Sequence, residues 1–184
     1  MTVRRKRPAM PGIQNTADTE SMIRVDHAGE YGAVRIYEGQ LAVFGNRKSE
    51  TADAIRKMAQ QEQEHLAAFD KLVNERRVRP TALEPVWRVA GFALGAATAL
   101  MGEKAAMACT AAVEDVIDEH YAQQIARLDG DKPLQQAVEN FRADEVAHKN
   151  EALELGAEEA PAYKLLSETI KAGCRLAIKL SERL

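Results

Sequence analysis

Two Glu-x-x-His tetrads, Glu62 to His65 and Glu145 to His148, lie in opposite halves of this 184-residue chain, and each follows a single glutamate, Glu30 or Glu114, by thirty-two or thirty-one residues. An α-helix repeats every 3.6 residues, so a Glu and a His three positions apart share one face and can grip a single ion. Each half thus offers one helix with a Glu-x-x-His pair and one with a lone Glu. Two such halves supply four carboxylates and two imidazoles, a set that fits a carboxylate-bridged pair of metal ions inside a four-helix bundle. An isolated Glu-x-x-His on a glutamate-rich helix is ordinarily a solvated face. The duplication, with matched upstream glutamates, argues against that here.

Composition suits the same architecture. Hydrophobic residues make up 46% and charged ones 29%, with few aromatics and only six prolines. Helix formers dominate and no alternating β-branched run appears. The fold class expected is all-α: a ferritin-like four-helix bundle with an internal pseudo-two-fold repeat, plus an apolar crossover helix and a C-terminal amphipathic helix. The length suits one domain, expected at 21–184 after a flexible basic N-terminus at 1–20. The net charge of −3 gives no broad footprint for nucleic acid, although Arg4, Arg5, Lys6 and Arg7 form a local basic cluster suited to anionic lipid. Cys109 and Cys174 form neither a CxxC pair nor a zinc cluster, and read as buried free thiols in a reducing compartment. The N-terminus lacks the apolar core of a secretory signal.

Helices are expected at about 21–44, 49–77, 86–101, 105–128, 134–155 and 162–183. Gly45-Asn46 closes the first, Pro80 and Pro85 mark a connection, and Pro133 fits the first turn of the fifth. The third is the crossover. Val89 to Gly102 carries no charge, yet fourteen residues span about 21 Å as a helix, short of a bilayer core. A buried core helix and a membrane-surface helix suit such a stretch equally. The last helix spaces Lys164, Lys171, Arg175, Lys179 and Arg183 at helical intervals beside several leucines, a pattern compatible with an anionic membrane surface. Together these two segments favour a monotopic membrane protein.

Several strings carry a more specific likeness: IRVDHAGEYGA from Ile23 to Ala33, GFALG from Gly91 to Gly95 with AMACT from Ala106 to Thr110, and AGCRLAIKLSERL from Ala172 to Leu184. With them the chain resembles the demethoxyubiquinone hydroxylase family over nearly its whole length from Met22. Glu30, Glu62, His65, Glu114, Glu145 and His148 fall at the family's six metal-ligand positions. The resemblance implies an O2-dependent monooxygenase of ubiquinone biosynthesis with two Fe ions, which hydroxylates the ring of a polyprenylated 6-methoxy-3-methyl-1,4-benzoquinol. NADH is the implied electron source. No Gly-x-Gly-x-x-Gly follows a strand here, so no dedicated nucleotide domain is expected and the quinone itself is a candidate relay. Implied partners are the quinol and the membrane surface. Whether an accessory lipid-binding protein delivers the substrate, and whether the chain forms a homo-oligomer, stay open. The expected location is the cytoplasmic face of a bacterial membrane, or alternatively the matrix face of the mitochondrial inner membrane.

Carboxylates bridge cations and switch between one- and two-oxygen binding, while imidazole stabilises divalent iron and leaves positions for O2. Either Glu62 and Glu145, or Glu30 and Glu114, would bridge. Asp144, just before Glu145, is a candidate hydrogen-bond partner behind a ligating histidine, with Asp26 and Asp118 as rivals. Tyr121, seven residues after Glu114, is a candidate for proton or electron transfer. His27 and His120 lie near the lone glutamates but lack counterparts in the opposite half. Competing functions are an iron oxidase or store, which has no use for an apolar crossover, a rubrerythrin-like peroxidase, which would add a cysteine cluster, and a non-catalytic quinone-binding bundle.

Overall fold

The computed structural model describes residues 16–128 and 130–184. The basic cluster Arg4 to Arg7, with the rest of residues 1–15, lies outside them. Among the described residues there is no β-strand. Six α-helices follow one another: α1 Thr16–Phe44, α2 Glu50–Arg76, α3 Glu84–Leu100, α4 Glu103–Ile125, α5 Lys132–Glu154 and α6 Tyr163–Ser181, with a single 3-10 turn, Ala157–Glu159, before the last.

Local chemistry sets the helix ends. The Ser49 hydroxyl accepts from Ala52 N at 3.2 Å to open α2, and Arg77, in the left-handed conformation at φ 53°, closes it. The Asp131 carboxylate caps α5 by accepting from Leu134 N at 3.3 Å, and Pro133 sits in the first turn as expected. Two expectations need correction. α1 begins at Thr16, so residues 16–20 belong to a helix rather than to a flexible tail. α3 begins at Glu84, which makes Pro85 its first turn rather than part of the connection, because a first-turn residue has no intrahelical use for an N–H.

α1 with α2 and α4 with α5 form two antiparallel pairs that meet as the four-helix core. The ferritin-like bundle expected from the repeat is the architecture observed. Hydrophobic clusters close both ends. One contains Tyr37, Ile55, Met58 and Met107; the other contains Ile23, Phe69, Tyr121, Leu134 and Val138. The sequence positions between them, around Glu30, Glu62 to His65, Glu114 and Glu145 to His148, fill the middle of the bundle.

α3 returns the chain along the outside, parallel to α1, at glycine-limited distance. A Cβ on Gly95 would lie 1.9 Å from Ile36 O, and one on Gly39 would lie 2.1 Å from Phe92 O, so only hydrogen fits where these backbones touch. α3 consequently buries small residues, Gly91, Gly95, Thr98 and Ala99, and turns Val86, Val89, Phe92 and Leu100 outward. It is not a core helix. Every large hydrophobic residue exposed among the described residues lies on α3, on α6 or just beyond their ends: Val86, Val89, Phe92, Leu100, Met101, Leu165, Leu176 and Leu184. No helix of the described residues is long and apolar enough to cross a membrane.

α6 packs on α4 through ion pairs. Lys171 Nζ lies 2.7 Å from Asp115 Oδ2 and Arg175 Nη2 lies 3.0 Å from Glu119 Oε2. Two of its five basic residues are thus engaged by acids of α4, a neighbour that sequence spacing on α6 alone does not reveal. At its far end α6 is tied to the start of α3, where Trp87 Nε1 donates to Ser181 Oγ at 3.1 Å and Ala82 N donates to Leu184 O at 3.1 Å.

Candidate metal centre

Glu30 from α1, Glu62 and His65 from α2, Glu114 from α4, and Glu145 and His148 from α5 converge in the bundle's middle, all between 0% and 3% exposed. Helical spacing delivers each Glu-x-x-His pair as one unit. Two overlapping groups result: Glu30, Glu62, His65 and Glu145; and Glu62, Glu114, Glu145 and His148. Within each group, one ligand atom from every residue lies within 4.8 Å of the others. Glu62 and Glu145 belong to both groups. Glu30 and His65 belong only to the first group, and Glu114 and His148 only to the second.

The imidazoles aim Nδ1 inward. Nδ1 of His65 lies 3.2 Å from Glu145 Oε1 and 3.6 Å from Glu30 Oε2. Nδ1 of His148 lies 3.1 Å from Glu62 Oε1 and 3.4 Å from Glu145 Oε2. The outward nitrogens are held from behind: His65 Nε2 donates to Asp144 Oδ2 at 3.2 Å, and His148 Nε2 donates to Gln61 Oε1 at 3.1 Å. With the proton on Nε2, each ring presents a lone pair to the centre.

Two tyrosines complete the shell, each reaching across to the other half of the repeat. Tyr121, on the helix of Glu114, donates to Glu30 rather than to its own helix's glutamate, and Tyr37 donates to Glu114 Oε1 at 2.8 Å. Tyr37 and Gln61 escape a reading of the sequence that weighs one half at a time. The repeat points to both. Tyr37 stands seven residues after Glu30 as Tyr121 stands after Glu114, and Gln61 precedes Glu62 as Asp144 precedes Glu145.

The remaining candidates lie elsewhere. His27 Nε2 pairs with Asp70 at 2.9 Å, and His120 Nε2 pairs with Asp26 at 3.0 Å, while Asp26 also accepts from Gln124 at 2.7 Å. Asp118 accepts from Arg142 Nε at 2.7 Å and lies 3.4 Å from Lys149. Neither rival aspartate reaches a histidine of the cluster, because each is held by a cation or amide nearer to it. Cys109 is buried and Cys174 only half-buried, and both are free thiols. Burial pushes Cys109 up to about 12 and Cys174 to about 11, so neither is a ready thiolate.

The cluster's electrostatics call for cations. Burial drives the pKa values of Glu62 and Glu114 well above the ordinary carboxylate range, helped by the charge of Glu145, and burial also raises Glu30. Burial pushes Glu145 in the same direction, but the two imidazoles flanking it, His148 and His65, favour its ionised form and hold this carboxyl low. Eight buried polar atoms point into the centre without a protein hydrogen-bond partner: Glu30 Oε2, both oxygens of Glu62 and of Glu145, Glu114 Oε2, and Nδ1 of His65 and His148. Orphaned acceptors in such number are costly in a native interior. Two divalent cations would satisfy all eight and cancel four carboxylate charges. The residues therefore fit a two-metal centre of oxygen and imidazole ligands, the type suited to iron or manganese.

Beside this centre, between α1, α3, α4 and α6, lies an apolar cavity of about 390 Å³. Its lining includes Gly29 and Val113, immediate neighbours of Glu30 and Glu114, together with Ile36, Trp87, Ile117 and Ile170.

The model of the family described as ubiquinone biosynthesis protein COQ7 matches residues 17–181. The 3-demethoxyubiquinol 3-hydroxylase of Rhodospirillum rubrum is 56% identical over 176 residues, covering 95% of this chain and 82% of the relative. The human mitochondrial NADPH-dependent 3-demethoxyubiquinone 3-hydroxylase is 51% identical over 173 residues, covering 91% and 79%. The mitochondrial 5-demethoxyubiquinone hydroxylase of Saccharomyces cerevisiae is 38% identical over 195 residues, covering 95% and 84%.

Proposed function

The chain belongs to the ubiquinone biosynthesis protein COQ7 family, and from that premise we propose that it hydroxylates the ring of a polyprenylated demethoxyubiquinol at a two-iron centre formed by its six buried Glu and His residues. The observation that carries this reading is the set of eight partnerless buried acceptors converging from four helices. The reaction balances as a monooxygenation: one atom of O2 replaces a ring hydrogen as hydroxyl, and the other leaves as water after taking up two electrons and two protons.

Bound iron supplies the redox chemistry that activates O2. The chain's residues do the rest. Glu62 and Glu145 would be shared between the two ions, with Glu30 and His65 holding one and Glu114 and His148 holding the other. Asp144 and Gln61 fix the tautomer and orientation of the two rings. Tyr121 and Tyr37 hold Glu30 and Glu114 by one oxygen each, leaving the other oxygen of each for metal. Those phenols place an O–H proton directly on two of the ligating carboxylates.

The apolar cavity receives the quinol. Its apolar lining includes Gly29 and Val113, the chain neighbours of Glu30 and Glu114, and α3 and α6, which carry the exposed apolar surface, bound its outer side. That surface rests on the membrane in which a polyprenyl quinol dissolves, at the cytoplasmic face in a bacterium or the matrix face in a mitochondrion. A lipid-facing cavity has no use in an iron store. A reduced nicotinamide nucleotide is the electron source, and the names of several relatives specify NADPH where the sequence resemblance implies NADH.

Turnover of a short-tailed demethoxyubiquinol under ¹⁸O-labelled O2, with NADH and NADPH supplied in parallel, tests the proposal. One labelled oxygen in the ring hydroxyl of the product is expected with at least one of the nucleotides. Product labelled only from water, or no hydroxylated product with iron bound, would overturn it.

A further inference from the structure

The pseudo-two-fold that relates the halves pairs Glu30 with Glu114, Glu62 with Glu145, His65 with His148, and Tyr37 with Tyr121, each with its like. It breaks behind the two histidines. Behind His65 stands the carboxylate of Asp144, at 3.2 Å from Nε2, and behind His148 stands the amide of Gln61, at 3.1 Å. Both groups accept from Nε2–H, so both rings present Nδ1 to the centre, but only one ring leans on an anion.

We infer that the two metal positions are inequivalent, and that the position served by Glu30 and His65 takes up a divalent cation before the position served by Glu114 and His148. This rests on the two-metal reading of the cluster. An anion at Nε2 draws the ring proton toward itself, raises electron density at Nδ1 and stabilises positive charge on the ring and its ion, and a neutral amide does so much less. Nothing in the inner set offsets this. The bridging carboxylates are common to both positions, and each terminal carboxylate is bonded by a matching tyrosine. Partners behind a ligating histidine shift metal affinity by roughly 10- to 100-fold. Asp144 is 45% exposed at its side chain, and solvent screening puts its effect near the lower end, about tenfold.

Asp144→Asn and Gln61→Glu keep side-chain shape and exchange charge, so the inference is tested with the metal-free protein, Co(II) alone and a competing chelator. In the wild type two stepwise constants are expected. Asp144→Asn should weaken the first about tenfold and leave the second within about twofold, while Gln61→Glu should tighten the second by a similar factor. With one equivalent of Co(II), the large contact shift in the ¹⁵N-histidine spectrum should fall on His65, reaching His148 only with the second. Equal shifts on both rings at one equivalent, filling at His148 first, or charge exchanges that move both constants alike would overturn the inference. If Asp144→Asn does not fold, Gln61→Glu and the wild-type spectrum decide it. Failure of the wild type to bind any Co(II) would sink the two-metal reading itself, a distinct result.

Discussion

Tyr37 of α1 donates a 2.8 Å hydrogen bond to Oε1 of Glu114 on α4, so that each lone-glutamate helix holds the other's glutamate in place, with Tyr121 and Glu30 as the reciprocal pair. Neither end of this bond sees water: Tyr37 is 2% exposed and Glu114 is 1% exposed. Burial and the neighbouring carboxylates Glu114 and Glu62 raise the Tyr37 pKa well above its ordinary value, so the phenol stays protonated and remains a donor.

Tyr37→Phe removes the hydroxyl with little change of shape and leaves Glu114 Oε1 unbonded. Chemical denaturation of the metal-free protein should show a loss of about 1–3 kcal/mol. An unchanged unfolding midpoint would mean that the bond does not constrain Glu114.

The contact between α1 and α3 leaves no room for a methyl group at Gly95, where a Cβ would meet Ile36 O at 1.9 Å. Gly95→Ala should therefore push the two backbones apart and destabilise by about 3 kcal/mol or more, the upper end for overpacking. Gly173 in α6 has nothing within 4 Å of its would-be Cβ, and Gly173→Ala should be neutral or stabilising by up to about 1 kcal/mol through helix propensity. Melting temperatures that fall equally in both variants would contradict this account of the interface.

Asp131 caps α5 and also pairs with Arg76, whose hydrogen bond lowers its carboxyl pKa below the ordinary value of 3.8 despite partial burial. A depressed carboxylate stabilises the fold fully above its unfolded pKa and progressively less as pH falls through the lower folded value. Asp131→Ala should cost about 1 kcal/mol at pH 7, and the penalty should shrink below about pH 4 as the wild type loses the same ionised group. A penalty that grows on acidification would have the wrong sign.

If the α3/α6 surface rests on a membrane, its exposed leucines should matter for lipid and not for folding. Leu100 and Leu165 are 76% and 72% exposed. Leu100→Ser and Leu165→Ser should each weaken binding to phosphatidylglycerol-containing vesicles by roughly tenfold, the scale of burying one such side chain, with melting temperatures unchanged. Retained vesicle binding in the double variant would place the membrane contact elsewhere.

The centre was legible in the sequence because i, i+3 spacing fixes a Glu and a His on one helix face whatever the tertiary fold does, and duplication supplied the rest. The groups behind it were less so. Tyr37 and Gln61 act across the interface on the opposite half, and only the register of the repeat, not local chemistry, marks them. Which face of α3 turns inward was not legible, because a run of Ala, Gly and large apolar residues has no polar face to orient it. Backbone contact at Gly39 and Gly95 decides that the small residues face inward. Likewise the basic spacing along α6 says nothing of Asp115 and Glu119, the acids on α4 that engage Lys171 and Arg175.

Iron-dependent hydroxylation of a short-tailed demethoxyubiquinol, measured in the wild type beside Glu114→Ala and His148→Ala, tests the central claim most directly. The account predicts product from the wild type and loss of product in both variants, each of which still folds but retains less than two irons per chain. Undiminished product in either variant would contradict it, because the chemistry would then not depend on the residues that the two halves of the bundle bring together.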